Sequence, residues 1–292
     1  MLSVLIPVFN EERAVEETVR QLNTVLSGTG EVYEIVVVND GSTDRTADIL
    51  RSITDIPQLR VLSHQRNRGY GASLKLGIRH AQGELIGMTD ADGTYPVDMF
   101  PALLTELHST EADMVVGART KKGAAIPLIR KPAKMIVNSL ARLLTGMRIP
   151  DLNSGMRIFR RELAERYMHL YPQRFSFTIT ITLAALTNDE LVRWIPIDYG
   201  KREGKSSLSS GFNGIANFLN FLSLVVRMVT LFRPLKFFIW PASLLFLGGL
   251  AHTVSTLVME QNVSDSGVLL LVSGLQIGLF GLLAETVVRH RQ

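Results

Sequence analysis

The chain contains no cysteine, which excludes a disulfide framework, a thiolate nucleophile and any cysteine-ligated zinc or iron–sulfur site. Strong net charge is also missing. Lys and Arg number 31 against 27 Asp and Glu, a balance of +4 over 292 residues. So weak a field gives no argument for nucleic acid as a partner. Charged residues make up only 20% of the chain and hydrophobic residues 46%. That is too apolar for a disordered chain and rich for a purely soluble one. Repeats, low-complexity tracts, a nucleophile elbow and a Walker loop are absent, and the six histidines lack ligand spacing, so no zinc site is expected.

The scarcity of charge is local. Between Phe237 and Val288 there is no Lys or Arg, and the only acids are Glu260, Asp265 and Glu285. Two apolar runs of 23 and 22 residues, 237–259 and 267–288, flank a short polar link at 260–266. As helix each spans about 33–35 Å, enough to cross a hydrocarbon core of about 30 Å. Core helices rarely run this long without a charged face, so a transmembrane hairpin is expected. Arg233 and Lys236 precede it, Arg289 and Arg291 follow it, and the link is acidic. Positive-inside logic therefore puts both termini and the N-terminal domain in the cytoplasm, as a multi-pass protein of the inner (cytoplasmic) membrane. The start at Met1 lacks a basic region ahead of an apolar one, so no cleaved signal peptide is expected. Gly274 and Gly278 form a small-xxx-small pair, with Gly281 near the same face, suited to close helix packing. Residues 212–232 read as an amphipathic helix in the membrane interface. From Lys201 to Lys236 six basic residues face one acid, Glu203, a charge excess suited to anionic headgroups or phosphates.

Residues 1 to about 200 alternate two periods. β-Branched runs at 3–8, 33–39, 59–63, 84–89 and 113–116 alternate with helix-period segments at 14–27, 43–51, 70–81 and 96–108. This is the pattern of a Rossmann-like, mostly parallel α/β sheet. Ligands of such sheets bind at the carboxyl ends of the strands.

Acids recur at those ends. Glu11 and Glu12 follow the first strand, Asp40 and Asp44 the second, and Asp90 and Asp92 the fourth. Asp40 and Asp44 have a local explanation in an Asx turn and a helix cap. Asp90-Ala91-Asp92 is different, because two carboxylates two residues apart on a loop can share one hard divalent cation bridging a diphosphate. Asn67-Arg68-Gly69-Tyr70-Gly71 lacks the third glycine of a dinucleotide fingerprint, which argues against nicotinamide chemistry.

In order, the motifs Ser3–Glu12, Val37–Asp44, Asn67–Ala81, Asp90–Pro96, Asp151–Arg157 and Gly200–Ser207 resemble the inverting GT-A-type glycosyltransferases of the polyprenyl-phosphate kind. The resemblance covers nearly the whole chain. It implies a GT-A catalytic domain at 1–205, interfacial helices at 206–234 and a two-helix transmembrane hairpin at 235–292. It implies transfer of one sugar from a nucleotide-sugar donor, UDP-glucose ahead of GDP-mannose, to a polyprenyl (undecaprenyl or dolichyl) phosphate. Pro7, Phe9, Glu11 and Asp40 match the positions that hold base and ribose, with Asp90, Ala91, Asp92, Arg202 and Lys205 completing the nucleotide site. Asp90 and Asp92 match the ligands of Mg²⁺ or Mn²⁺, and Thr94 falls where the family sometimes adds another. Arg119, Arg130, Lys134 and Ser154 match the acceptor-phosphate segment, Arg119 being grouped with Asp90 and Asp92 as catalytic. The expected partners are the nucleotide-sugar, the lipid phosphate, the membrane and further copies of the chain, as in a homo-oligomer such as a tetramer. Nucleic acid is not among them.

Transfer to an alcohol normally needs a general base, and relatives keep an acid after an aromatic-rich stretch. Here the stretch reads Phe175-Ser176-Phe177-Thr178-Ile179-Thr180, with no acid. A phosphate monoester has a second pKa near 6 and is mostly dianionic at neutral pH, so it needs cations instead. Two alternatives remain. A processive polysaccharide synthase needs a base and a wider pore than two spans form, and Glu190–Trp194, which resembles its Gln-x-x-Arg-Trp motif, reads better as a last strand. A catalytically inactive scaffold is disfavoured because Asp90 and Asp92 are both present.

Overall fold

The computed structural model describes residues 1–121, 146–147, 149–173, 177–200 and 234–289. They fall into two compact units, one within residues 1–200 and one containing 234–289.

In the first unit β1 (Leu2–Val8), α1 (Val15–Ser27), β2 (Tyr33–Asn39), α2 (Thr46–Ser52), β3 (Leu59–Ser63), α3 (Tyr70–His80) and β4 (Leu85–Met88) follow the expected alternation. A 3₁₀ turn (Val97–Met99) leads into α4 (Phe100–Thr110) and β5 (Met114–Ala118). Then come β6 (Arg157–Arg160), α5 (Arg161–Arg166), α6 (Phe177–Thr187) and β7 (Val192–Pro196). The seven strands run in the order β3-β2-β1-β4-β6-β5-β7. All neighbours are parallel except β6, which lies antiparallel between β4 and β5. Glu190–Trp194 leads into β7, a sheet strand as the sequence suggested.

Strand alternation explains the layers. Val4, Ile6, Val8, Ile35 and Val37 join one buried cluster with Val15, Val19, Leu22 and Leu26 of α1 and Phe100, Leu103 and Leu107 of α4. Those helix positions recur every three or four residues, which makes one apolar stripe. Leu5 and Val38 point to the other face, where Gly77 of α3 packs on them: a Cβ there would lie 3.1 Å from Leu5. The β3-β2-β1-β4 order sets the carboxyl ends of β2, β1 and β4 side by side.

The second unit is a helical hairpin, α7 (Pro234–Glu260) and α8 (Asp265–Arg289). The helices extend two or three residues before the apolar runs and one residue after them, and both are long and apolar enough to cross a membrane. Their large apolar side chains are mostly exposed, Leu244 at 76% and Leu269 at 67%. The glycine seam differs from the expected Gly274–Gly278 pair. A Cβ at Gly267 would lie 2.3 Å from Thr253 Oγ1, at Gly274 2.7 Å from the Phe246 nitrogen, and at Gly281 2.8 Å from Phe238 Cβ. A Cβ at Gly278 meets only Ala242 at 3.7 Å. The seam is a heptad, as two nearly antiparallel helices require. Glu285, one of the few acids here, accepts from the Leu235 main-chain N–H at 3.2 Å, at the N-terminus of α7 where a carboxylate is favoured. The segment 212–232 lies outside the described residues.

Candidate active site

The loops after β1 and β2 brace each other. Asn10 adopts a left-handed φ of 57°, accepts from the Thr43 N–H at 2.8 Å, and donates its own N–H to Ser42 Oγ at 3.0 Å. The Glu11 N–H donates to Thr46 Oγ1 at 3.0 Å, and the Glu12 N–H to Asp44 Oδ2 at 3.3 Å. Asp44 also accepts from the Thr46 N–H and hydroxyl, so the Asx-turn explanation holds for it, while Arg45 takes the N-cap position of α2. This bracing leaves Phe9 exposed at the strand end, with Pro7 half-buried behind it.

Asp40 is more engaged than its expected nucleotide role implies. It is buried, and its carboxylate accepts from His64 Nδ1 at 2.7 Å and from the Arg68 and Gly69 N–H groups at 2.9 and 2.7 Å. Gly41, at φ +69°, lets that loop close: a Cβ there would lie 2.6 Å from the Arg66 carbonyl carbon. Asp40 thus fixes the segment that starts α3 and carries Tyr70.

Tyr70 in turn donates its hydroxyl to Asp90 Oδ1 at 3.1 Å. Burial and then the Asp90 charge push that phenol well above its ordinary range, which keeps it a donor. On the other side of Asp90, a Cβ on Gly155 would lie 2.9 Å from Oδ2, so any larger residue there would displace this carboxylate. The Gly155 N–H donates to the Tyr95 hydroxyl at 2.7 Å. Ala91 is buried, its carbonyl accepting from Thr18 Oγ1 at 3.3 Å. Asp92 is also buried and accepts from the Thr94 N–H at 3.2 Å and hydroxyl at 2.5 Å. Thr94 therefore orients Asp92. Asp90 and Asp92 offer only carboxylate oxygens, the donor type that Mg²⁺ or Mn²⁺ takes, and no cluster of three His, Cys, Asp or Glu occurs among the described residues.

Arg119 follows β5 and is held by a residue assigned no role from the sequence. Asp151, buried, accepts from Arg119 Nε at 2.7 Å, Nη2 at 3.0 Å and the main-chain N–H at 3.1 Å. Burial alone raises the Asp151 pKa, but the Arg119 bonds outweigh it and leave the carboxyl below its usual range. The guanidinium also lies 5.2 Å from the centre of the Tyr199 ring, and Tyr199 packs edge-on to Tyr95 at 5.1 Å. The Gly200 N–H donates to the Thr94 carbonyl at 2.9 Å. The chain leading into the basic loop is thereby tied to the Asp92 loop.

One expectation needs correction. Ser154 is fully buried and its hydroxyl has no partner, so it is not on an open phosphate-binding surface. Arg130, Lys134, Arg202 and Lys205 lie outside the described residues. Tyr70, Tyr95, Asp151 and Tyr199 escaped the sequence reading because their partners lie 20 to 104 residues away or in a different loop. The close Gly-x-Gly around Tyr70 was the one local signal.

The sequence pattern described as glycosyl transferase family 2 matches residues 3–168, more than half of the chain and everything from β1 through β6. The chain belongs to that family. It is a glycosyltransferase, and the strand-end acids Glu11, Asp40, Asp90 and Asp92 all lie within the matched residues. A second pattern, the GtrB C-terminal hairpin, matches residues 233–289. Relatives named undecaprenyl-phosphate 4-deoxy-4-formamido-L-arabinose transferase from Salmonella typhimurium and Salmonella newport are 27% identical over 263 residues, 89% of this chain and 76% of theirs. The fold is of GT-A type. Residues 1–349 of S. aureus TarS, solved with UDP-GlcNAc, superpose with a TM-score of 0.55 at 19% identity, over 78% of this chain and 66% of that one, just under two thirds. Glucosyl-3-phosphoglycerate synthase of Mycobacterium tuberculosis, solved with Mn²⁺, UDP and phosphoglyceric acid, gives 0.57 at 18% identity, over 78% and 77%.

Proposed function

We propose that this glycosyltransferase moves a single sugar, with inversion, from a nucleotide-sugar to a polyprenyl phosphate at the cytoplasmic face of the inner membrane. One observation carries the reading. A family 2 sugar-transfer domain is joined on one chain to a hairpin whose two helices are long and apolar enough to cross a bilayer. An enzyme fixed to the bilayer meets a lipid acceptor at its own surface. The relatives named for undecaprenyl phosphate, aligned over 89% of the chain, support the same acceptor class.

On this reading residues 1–205 are catalytic, 206–234 interfacial and 235–292 the anchor. Phe9, Pro7, Glu11 and Asp40 frame the base and ribose, and Asp90 and Asp92 hold Mg²⁺ or Mn²⁺. Such a metal ion neutralises the diphosphate leaving group. Arg119, Arg130, Lys134, Arg202 and Lys205 offset repulsion between donor and acceptor phosphates, for which guanidinium forks are suited. The acceptor dianion attacks without a protein base. A UDP-sugar is favoured, UDP-glucose first. A UDP-linked formamido-arabinose joins the panel on the strength of the relatives.

The test is a panel of radiolabelled nucleotide sugars offered to the purified full-length protein with undecaprenyl phosphate. One donor should give label that extracts into organic solvent. Label found only in polymer, or no label from any donor, contradicts the reading. A tag placed at 260–266 should be reachable only from the side opposite the catalytic domain.

A further inference from the structure

Arg157 is a fully buried cation that the proposed chemistry does not use. It is 0% exposed, the largest side chain so enclosed among the described residues. Sheet register puts it between the two strands that carry the site. It pairs with Met88 on β4, two residues before Asp90, and with Val116 on β5, three residues before Arg119.

Its hydrogen bonds all go to neutral groups. Nε donates to the Ser154 carbonyl at 3.2 Å, and Nη2 donates to the same oxygen. Nη1 donates to the Thr178 carbonyl at 3.1 Å and Thr182 Oγ1 at 2.9 Å, with Met114 Sδ at 3.8 Å. Among the described residues no carboxylate forms an ion pair with it; the Asp151 fork is taken by Arg119. Thr178 and Thr182 lie in the first turns of α6, where the helix dipole disfavours a cation. Burial lowers the guanidinium pKa to about 10, still high enough for full charge at neutral pH. A buried, unpaired cation is costly, and well-packed apolar residues commonly replace buried ions without loss of stability. Packing alone therefore does not account for Arg157.

What it faces does. Its Nε and Nη2 both hold the Ser154 carbonyl, one residue before the Gly155 that packs on the Asp90 carboxylate. Tyr70 touches Asp90, Tyr95 holds Gly155 against Asp90, and Asp151 holds Arg119. We propose that Arg157 is a fixed buried counter-charge for the assembled phosphates, acting through the sheet on bound donor and acceptor without touching either. This rests on the phosphate-to-phosphate reaction proposed above. A unit charge about 10 Å away changes an equilibrium about tenfold when the effective dielectric is near 20. Donor diphosphate and acceptor phosphate together carry several unit charges.

The experiment uses the full-length protein with Arg157→Met, which removes the charge but fills the space, and Arg157→Lys, which keeps the charge but loses the fork. Melting temperature, affinity for UDP and GDP with Mn²⁺, and sugar transfer are measured on each. The Met variant should melt within a few degrees of the native protein, bind the preferred nucleotide about tenfold more weakly, and transfer about 10²-fold more slowly. The Lys variant should stay within about tenfold of native in binding and transfer. A folded Met variant within threefold of native in both would overturn the proposal. So would a Lys variant as slow as Met, because the fork and not the charge would then matter. If the Met variant does not fold, the Lys variant decides alone: within tenfold supports the proposal, and below a hundredth overturns it. Failure of the native protein to bind either nucleotide would instead overturn the reaction on which the proposal rests.

Discussion

Arg119 and Asp151, 32 residues apart, form a two-pronged ion pair, Nε to Oδ2 at 2.7 Å and Nη2 to Oδ1 at 3.0 Å. The Trp194 indole N–H donates to the Asp151 carbonyl at 3.2 Å, and the Asn153 N–H to its carboxylate at 3.1 Å. The pair thus joins the end of β5 and the middle of β7 to the turn before β6. It presents Arg119 in one orientation beside Tyr199.

Asp151→Asn should remove about 3–5 kcal/mol of stability, because it leaves a largely buried guanidinium without its counter-charge. Arg119→Met in the Asp151→Asn background should recover part of the loss. Thermal melts of the two single variants and the double variant check this. Strict additivity would mean that the two side chains do not depend on each other.

Acid should weaken this ion pair and a second buried carboxylate, Glu34, at the amino-terminal end of β2. Burial alone would raise Glu34, but the Ser3 hydroxyl, the Gln82 N–H and Arg60 lower it below the usual carboxylate range, as Arg119 does for Asp151. A carboxyl with a depressed folded pKa binds fewer protons folded than unfolded, so its contribution is full above about pH 4 and disappears as pH falls through the folded value. Melting temperature measured downward from pH 7 should drop steeply below about pH 4. The slope should flatten in Glu34→Gln and in Asp151→Asn.

The carboxylate pair at 90 and 92 should control metal and activity together. Asp92→Asn should abolish both Mn²⁺ binding and transfer, and excess chelator should reproduce the loss of transfer in the native protein. Thr94→Val, which removes the hydroxyl held 2.5 Å from Asp92, should cost about 10–100-fold in metal affinity. Full activity of Asp92→Asn in excess EDTA would refute the assignment. Gly155→Val, with a Cβ placed 2.9 Å from Asp90 Oδ2, should weaken metal binding in the same way.

The hairpin seam is open to covalent test because the chain has no cysteine of its own. Ala242→Cys combined with Gly278→Cys should crosslink within one chain under mild oxidation, since a Cβ at 278 would lie 3.7 Å from the Ala242 Cβ. Crosslinking only between chains would contradict the heptad packing of α7 on α8.

Much of this was legible in the primary structure, for physical reasons. β2 and β3 have the limits that β-branching and flanking turns indicate, and the two C-terminal helices declare themselves by the absence of charge. β6 was not legible. Its four residues, Arg157–Arg160, begin and end in arginine, and they enter the sheet antiparallel by long-range pairing alone. α6 is rich in Thr and Ile, which resist helix, and is buried along nearly its whole length, so no amphipathic period marks it. At the site, Asp90 and Asp92 are identified by spacing. The inward turn of Ser154 and Arg157 is not, because a motif names a residue without saying which way its side chain points.

The central claim is that the lipid phosphate is itself the nucleophile. Its most direct test gives the full-length enzyme its preferred labelled nucleotide-sugar with either undecaprenyl phosphate or the matching free alcohol, between pH 5 and 8. The account predicts labelled lipid from the phosphate only, with activity falling as pH drops through about 6, where the dianion is lost. Efficient glycosylation of the free alcohol would contradict it, because that reaction requires a protein base the account does not contain.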